Sequence, residues 1–405
     1  MKEWKKVKLG EICERVTSGG TPKASVNAYY NPPTIPWLKT KEVNYCRITE
    51  TENYISEEGL NNSSAKIIAP NSVIIAMYGQ GDTAGRVAIN KIPLTTNQAC
   101  CNLTLKCDCA DYEFVYYQLC TLYDKMVSLK SGAAQPNLNA QIIKNLEISL
   151  PPLPTQHRIA SILSRYDALI ENYQKQIKLL EEAAARLYKQ WFVELKFPGY
   201  QNTTIIDGVP EGWEKKKLAE ICDTIGGGTP STKVASYYEG GKIKWVTPTD
   251  ITRNNCLCLL DTEKKITDEG LKKSSAKMLP PGAILMTSRA SVGYFGICDF
   301  EVCTNQGFIS CIPFEKNHQM YLLFNLMNRV DEIRIKAGGS TYLEISKSVF
   351  RNFDIICPTN SIANLFQANV EKIIENVKNL SLQIRHLTES RDRLLPKLMS
   401  GELEV

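Results

Sequence analysis

The chain has 405 residues, of which 43% are apolar and 22% are charged, and its formal net charge is +5. This composition is typical of a globular protein with two or three hydrophobic cores, and the small positive charge favours a polyanionic partner only weakly. No apolar run is long enough to cross a bilayer and the first residues lack the apolar core of a signal peptide, so we expect a cytoplasmic protein that contacts no membrane.

Residues 1–154 are predicted to form a first globular domain. Short runs of β-type residues lie at 73–77, 86–89 and 101–105. The segment 111–129 predicts a helix with Asp111 as its N-cap and with Phe114 and Leu119 on one face. Because strands and helices do not alternate regularly, the pattern indicates the α+β class rather than a doubly wound sheet.

A long helix is predicted over residues 155–197, with Thr155 as its N-cap after three prolines at 151, 152 and 154. Its apolar positions recur at intervals of four and three residues. They are Ile159, Leu163, Tyr166, Ile170, Tyr173, Ile177, Leu180, Ala184, Leu187 and Trp191. The mean spacing of about 3.5 residues places them on one seam, roughly 50 Å long, that needs a partner helix.

A second long helix is predicted near the C-terminus, in residues 359–405. Its apolar positions follow the same alternation, and Arg391 is the one polar interruption. They are Phe366, Val370, Ile373, Val377, Leu380, Ile384, Leu387, Leu394 and Leu398. Two seams of equal period predict that the helices pair with each other as an antiparallel coiled coil.

Residues 198–358 contain a linker and a second globular domain that repeats the first. Gly-Gly-Thr-Pro occurs at 19–22 and 227–230, Ser-Ser-Ala-Lys at 63–66 and 274–277, and Thr-Asn-Gln at 96–98 and 304–306. Trp37 of the first copy corresponds to Trp245 of the second. The chain therefore holds two copies of a domain followed by a long helix, which predicts an α+β fold with pseudo-two-fold symmetry.

The sequence carries no motif that requires catalysis, a metal or a cofactor. Its 14 cysteines include no Cys-x-x-Cys pair and it has three histidines, so the thiols are expected to pack as small hydrophobic groups. Asn-Pro-Pro at 31–33 resembles the loop of amino-group DNA methyltransferases, but Thr34 stands where an aromatic residue would hold the flipped base. Gly-Gln-Gly at 79–81 resembles a cofactor loop, but no helix pattern follows it. We therefore expect no cofactor.

Two domains on paired helices suit a protein that reads two separated segments of DNA. Successive major-groove faces of B-DNA lie about 34 Å apart, so a rigid spacer can set the distance between two readers. Paired long helices also serve as docking surfaces for other proteins. The physical argument alone leaves both interpretations open.

The ends of the predicted helices resemble a known family. Gln-His-Arg-Ile-Ala at 156–160, Trp-Phe-Val at 191–193 and Leu-Leu-Pro-Lys-Leu-Met-Ser-Gly-Glu-Leu at 394–403, with the duplicated Gly-Gly-Thr-Pro, are similar to the specificity subunit of type I restriction-modification systems. The resemblance covers essentially the whole chain. The second copy departs from it with Ser-Ile-Ala-Asn at 361–364 in place of Gln-x-Arg-Ile.

This resemblance implies two target-recognition domains, each of which reads one half of a bipartite site in double-stranded DNA, and a coiled-coil spacer that sets the gap. It also implies a non-catalytic subunit. Two methyltransferase subunits would dock on the long helices and methylate N6 of adenine with S-adenosylmethionine, and ATP-dependent restriction subunits would join them.

The internal repeat sorts the candidate DNA-binding residues. Residues identical in both copies, such as Asn97 and Gln98, are expected to support the fold or contact phosphates, whereas polar residues that differ at matched positions are candidates for base recognition. Loops 39–41, 78–80 and 134–137 of the first copy correspond in sequence to loops 247–249, 289–291 and 341–344 of the second. The side chains of Gln80 and Arg289 suit bidentate contacts with adenine and guanine, respectively. The candidates are Thr21, Lys23, Lys39, Lys41, Tyr78, Gln80, Arg86, Gln135 and Asn137 in the first domain, and Thr229, Lys233, Thr249, Arg253, Ser288, Arg289, Thr341 and Tyr342 in the second.

Three other interpretations are compatible with parts of the sequence. An adaptor with two ligand domains on a coiled coil would bind no DNA duplex. A self-sufficient DNA methyltransferase would bind S-adenosylmethionine by itself, although the motifs for that cofactor are missing. A simple DNA-binding repressor does not explain two non-identical readers.

Overall fold

A computed structural model describes residues 4–130, 137–254, 256–339 and 342–405 of the chain. The chain divides into two compact units. The first comprises Met1–Ala168 and Leu387–Val405, and the second comprises Leu169–His386. Each unit contains one mixed domain of helices and sheets together with parts of both long helices.

The described residues of the first unit contain ten strands. They are β1 (Lys5–Lys8), β2 (Cys13–Ser18), β3 (Ile35–Leu38), β4 (Cys46–Ile48), β5 (Tyr54–Ile55), β6 (Val73–Ala76), β7 (Val87–Asn90), β8 (Thr95–Thr96), β9 (Cys100–Leu105) and β10 (Glu147–Leu150). The main sheet has the order β2-β9-β6-β7-β4, a second sheet has the order β5-β3-β8, and β1 pairs with β10. The short helices are α1 (Glu57–Asn61), α2 (Tyr112–Thr121), α3 (Tyr123–Ser128) and α4 (Ala140–Lys144).

The main sheet of the first unit is covered on both faces. All four residues of β6 are buried: Val73 and Ile75 belong to one hydrophobic cluster, and Ile74 and Ala76 belong to another. This alternation follows from the two-residue period of a strand. It explains why β6 reads as a continuous apolar run rather than as an alternating one.

The helix predicted over 111–129 is two helices, α2 and α3. Asp111 is the N-cap as predicted, because its carboxylate accepts a hydrogen bond from the backbone N–H of Phe114 at 2.8 Å. At Leu122 the backbone leaves the helical region, with φ −102° and ψ 14°, and this residue separates the two helices. The apolar pattern continues through this break, so it did not reveal the boundary.

The second unit repeats the plan of the first. Its strands are β11 (Ile205–Ile206), β12 (Val209–Pro210), β13 (Glu214–Lys217), β14 (Cys222–Gly226), β15 (Ile243–Val246), β16 (Lys264–Ile266), β17 (Ile284–Thr287), β18 (Phe295–Ile297), β19 (Cys303–Thr304), β20 (Phe308–Pro313) and β21 (Asp354–Cys357). The sheet orders are β14-β20-β17-β18, β16-β15-β19, β13-β21 and β11-β12. The short helices are α6 (Pro248–Thr252), α7 (Asp268–Lys272), α8 (Gln319–Asn328), α9 (Val330–Lys336) and α10 (Lys347–Arg351). This correspondence confirms the predicted duplication of a mixed domain.

The two long helices begin and end differently from the prediction. The first, α5, spans Leu153–Tyr188 and is followed by a π-helical turn at Lys189–Val193. Thr155 is therefore inside the helix, and the prediction that it is the N-cap is wrong. Pro154 lies in the first turn, where no backbone N–H is required, so it does not delay the helix. The second, α11, spans Asn360–Met399 and continues through Pro396.

The predicted seams face inward along both helices. Every seam residue of α5 and α11 is buried or half-buried, whereas Leu179, which lies off the seam, is 64% exposed. In the second unit, Ile177 of α5 shares a hydrophobic cluster with Val370 and Val377 of α11. In the first unit, Leu163 of α5 shares a cluster with the later part of α11. The seams therefore contribute to the core of each unit.

Arg391, the polar interruption of the seam, has a partner in the first unit. Its Nη1 donates to Oδ1 of Asp167 on α5 at 2.6 Å, and Asp167 is 5% exposed. The other carboxylate oxygen of Asp167 accepts from Arg47 Nη1 at 2.9 Å and from the Tyr117 hydroxyl at 2.5 Å. Arg47 also contacts Glu113. One buried carboxylate therefore connects β4 and α2 of the domain with both long helices.

Candidate nucleic-acid interface

The duplicated Gly-Gly-Thr-Pro loops have the same internal bonding in both domains. In the first domain, Gly20 N–H donates to Thr96 O at 2.8 Å, and Trp37 Nε1 donates to Gly20 O at 3.0 Å. Gly228, Thr304 and Trp245 repeat these bonds at 2.8 and 3.0 Å. The Thr21 and Thr229 hydroxyls bond the side-chain oxygens of Gln98 and Gln306. The shared residues thus brace a loop, as their identity in both copies suggests.

The consecutive glycines Gly226 and Gly227 of the second domain offer a test of this bracing. A Cβ added at Gly227 would overlap the backbone oxygens of Thr304 and Asn305, whereas a Cβ added at Gly226 would meet nothing within 4 Å. We expect Gly227→Ala to lower the free energy of unfolding by about 1–3 kcal/mol, because the backbone at Gly227 must move away from that at Thr304 and Asn305. Gly226→Ala, one position earlier, should change it by less than about 0.5 kcal/mol. Urea unfolding of both variants measures this, and equal losses would contradict the bracing role.

A carboxylate closes the next loop in each domain. Glu42 accepts hydrogen bonds from the backbone N–H groups of Lys39 at 3.0 Å and Glu52 at 2.9 Å. Asp250 accepts the equivalent bonds from Thr247 at 2.7 Å and Glu263 at 2.8 Å. These loops are held at the same points, although their outward side chains differ.

The candidate residues on these loops differ in whether their side chains are exposed and whether they are already paired within the protein. Lys39 Nζ donates to Asn53 Oδ1 at 2.9 Å. Lys41 Nζ lies 2.5 Å from a carboxylate oxygen of Glu52, and the hydrogen bond and charge of Glu52 raise the pKa of Lys41. Both partners of that pair are exposed, so the pair contributes little to stability and does not prevent a contact with phosphate. In the second domain Thr249 is half-buried, and Arg253 at the end of α6 is exposed.

Two further loops of the second domain lie side by side. Ala290 N–H donates to Leu343 O at 2.8 Å, and Ile345 N–H donates to Ser288 O at 3.0 Å. These bonds bring Arg289 beside Glu344, where Arg289 Nε is 3.7 Å from Glu344 Oε2. Tyr342, in the second of these loops, is 61% exposed. The structure therefore brings two candidates, Arg289 and Tyr342, onto adjacent segments.

The first domain repeats one of these backbone bonds, with different side chains beside it. Leu138 N–H donates to Met77 O at 3.0 Å, which matches the bond from Ile345 to Ser288. Tyr78 and Asn137 consequently occupy the places of Arg289 and Glu344. Both are half-buried, and burial raises the pKa of the Tyr78 hydroxyl. Gln80 follows on the same loop and is exposed.

The remaining candidates divide into four groups. Arg86 bonds Asp82 at 2.6 Å and Asn44 at 2.8 Å, so its guanidinium connects its own loop to the segment that precedes β4. Ser288 is only 3% exposed, which contradicts the prediction that its side chain contacts DNA. Lys23 and Lys233 are exposed. Gln135 and Thr341 lie outside the described residues.

Glu344 is the residue that sequence reasoning did not select. It lies at a matched position where the two copies differ, Asn137 against Glu344, and this signal was available in the repeat. The position of Glu344 beside Arg289 depends on contacts between distant segments and became visible only in the fold.

Nine of the fourteen cysteines are buried, four are half-buried and Cys107 is exposed. All fourteen are free thiols, and burial raises the pKa of Cys13 and of Cys101 to about 12. A thiol with such a pKa is protonated and uncharged at neutral pH, as suits a group packed in a hydrophobic core. Within the described residues, no group of three or more His, Cys, Asp or Glu side chains could hold a metal ion.

The two segments of the chain that match a known protein family each contain one of these domains. The family described as Type I restriction modification DNA specificity domain matches residues 1–182 and 210–389. The chain belongs to this family. Specificity subunits are the non-catalytic subunits of type I restriction-modification systems, and their role is the recognition of DNA sequence.

Relatives of this specificity subunit match over the full length. The specificity subunit of the type I restriction enzyme MjaIX from Methanocaldococcus jannaschii is 30% identical over 422 residues, covering 100% of this chain and 94% of the relative. That of HindI from Haemophilus influenzae is 23% identical and covers 100% of both chains. The crystal structure of the S subunit from M. genitalium has a TM-score of 0.59 at 16% identity and covers 98% of this chain and 96% of that one, which supports the fold. No described helix of this specificity subunit is both long and apolar enough to span a membrane.

Proposed function

We propose that this chain reads a bipartite DNA site, with each recognition domain contacting one half. The candidate interface consists of the Gly-Gly-Thr-Pro loops, the loops closed by Glu42 and Asp250, and the paired loops that carry Tyr78 and Arg289. The exposed lysines Lys23 and Lys233 would contact phosphates, which fix position without reading sequence.

One observation carries this proposal. The two domains hold the paired loops with the same backbone hydrogen bond, from Leu138 to Met77 in one and from Ile345 to Ser288 in the other. The side chains presented there differ, Tyr78 against Arg289 and Asn137 against Glu344. A repeated scaffold with different polar side chains is what two readers of different half-sites require.

We propose further that α5 and α11 form an antiparallel coiled-coil spacer on which two methyltransferase subunits dock, with restriction subunits joining them. The first unit contains the start of α5 and the end of α11, and the second contains the end of α5 and the start of α11. This division supports antiparallel pairing, and the inward seams support a coiled coil. Membership of the type I restriction-modification specificity family supports the choice of these partners.

The proposal is tested by the pattern of methylated adenine in cellular DNA. The chain is co-expressed with its methyltransferase, and the modified sites are compared with those of cells that express the methyltransferase alone. We expect a split motif that depends on this chain. Replacing one recognition domain with that of a relative should change one half of the motif and leave the other half unchanged.

Two results would contradict the proposal. A methyltransferase complex that assembles with the chain but modifies no split motif would favour an adaptor with two ligand domains. A change in both halves after the exchange of one domain would show that the domains do not read separately.

A further inference from the structure

We infer that Arg289 and Glu344 together read one G·C base pair in the half-site of the second recognition domain, with Arg289 on guanine and Glu344 on cytosine. The inference rests on the proposed function. It adds the identity of a base pair, and it adds Glu344 as a specificity-determining residue.

The backbone fixes the two residues opposite each other. The bonds from Ala290 to Leu343, 2.8 Å, and from Ile345 to Ser288, 3.0 Å, flank them on both sides. Arg289 and Glu344 are therefore a non-hydrogen-bonded pair of an antiparallel ladder. The side chains of such a pair leave on the same face, with Cβ atoms about 5 Å apart, so they can reach a single base pair.

Glu344 is held from its other side as well. Its N–H donates to Gly338 O at 2.8 Å, and its C=O accepts from Gly338 N–H at 3.0 Å. Three backbone segments thus lie side by side, and Glu344 is on the middle one. A side chain on a backbone ordered in this way can make a base contact with a small entropy cost.

Charge and hydrogen-bonding capacity select the base pair. The side chains of Arg289 and Glu344 are 46% and 49% exposed, so both can contact a ligand. In the major groove guanine presents two acceptors, N7 and O6, which match the paired donors of arginine, and cytosine presents the N4 amino donor, which matches a carboxylate. A carboxylate near phosphates is unfavourable, and the charge of Arg289, 3.7 Å away, offsets this repulsion.

The first domain presents no charge at the same place. Tyr78 and Asn137 occupy the equivalent positions, next to the equivalent backbone bond from Leu138 to Met77. Neither offers the paired donors of a guanidinium together with a carboxylate. The two half-sites should therefore differ at the base pair that these positions read.

The test uses the full complex of the chain with its methyltransferase subunits in cells. Arg289→Ala and Glu344→Gln are compared with the wild type by sequencing methylated adenine across the genome. We expect one G·C pair in the second half-site to lose discrimination by on the order of 10- to 100-fold in Arg289→Ala. Glu344→Gln should relax the same pair while every other position is unchanged.

Arg351 and Asp223 provide the matched control. They form an ion pair in the same domain, also at 3.7 Å, with 38% and 56% of their side chains exposed. Arg351→Ala and Asp223→Asn should leave the motif unchanged, which separates base reading from the general effect of removing a surface charge.

Three outcomes would overturn the inference while leaving the proposed function intact. The first is an unchanged methylation motif in Glu344→Gln. The second is an equal loss of methylation at all sites in Arg289→Ala, which would indicate a phosphate contact. The third is a loss of discrimination at an A·T pair instead of a G·C pair. A wild-type complex without any split motif would instead contradict the proposed function, and the inference with it.

Discussion

Ile177→Asp is expected to separate the long helices of the second unit and to abolish co-purification of the methyltransferase subunits. Ile177 is 4% exposed and lies in the cluster that contains Val370 and Val377 of α11. The substitution removes an apolar side chain and places a carboxylate in its position. We expect the free energy of unfolding to fall by about 4 kcal/mol or more. Urea unfolding and affinity purification from co-expressing cells measure the two effects.

Leu179→Asp is the control for this prediction. It introduces the same charge two positions away on the same helix, at a side chain that is 64% exposed. It should change the free energy of unfolding by less than about 0.5 kcal/mol and should leave assembly intact. Assembly of the Ile177→Asp variant with normal yield would contradict the coiled-coil spacer.

Asp167→Ala is expected to destabilise the first unit by about 3–5 kcal/mol. The carboxylate accepts hydrogen bonds from Arg47, Tyr117 and Arg391, and it is 5% exposed. Its removal leaves two guanidinium groups, largely withdrawn from water, with one fewer anionic partner. The unfolding transition of the first unit, followed by thermal denaturation, measures the loss.

Asp392→Ala separates this cluster from an ordinary surface ion pair. Asp392 also bonds Arg391, at 2.8 Å, but its side chain is 55% exposed. We expect a change of less than about 0.5 kcal/mol. Equal effects of the two alanine substitutions would show that burial of Asp167 adds nothing to the stability of the first unit.

The duplicated domain and the inward seams could be predicted because each is a repeated pattern in the chain. Repeats of Gly-Gly-Thr-Pro and Thr-Asn-Gln identified two copies, and the alternation of three and four residues identified the faces of α5 and α11. The start of α5 was predicted two residues too late, because Pro154 was read as a boundary although the first helical turn accepts proline.

The candidate interface could be predicted only as a set of loops. Comparison of the copies correctly matched Tyr78 with Arg289 and Asn137 with Glu344, as the equivalent hydrogen bonds show. It did not show that Ser288 is buried or that Arg86 is paired with Asp82. Burial and pairing depend on which segments approach each loop, and no local pattern records that approach.

By itself, the sequence determined the repeated architecture, the helical period and the loops that differ between the copies, because each of these is recorded as a repeated or periodic pattern of residues. Only the tertiary structure decided which polar groups meet. Arg391 bonds Asp167 from 224 positions away, and Arg289 lies beside Glu344 across two loops. Such pairs form when the hydrophobic cores bring distant segments together. The residues around a charged side chain in the sequence therefore do not identify its partner in the folded protein.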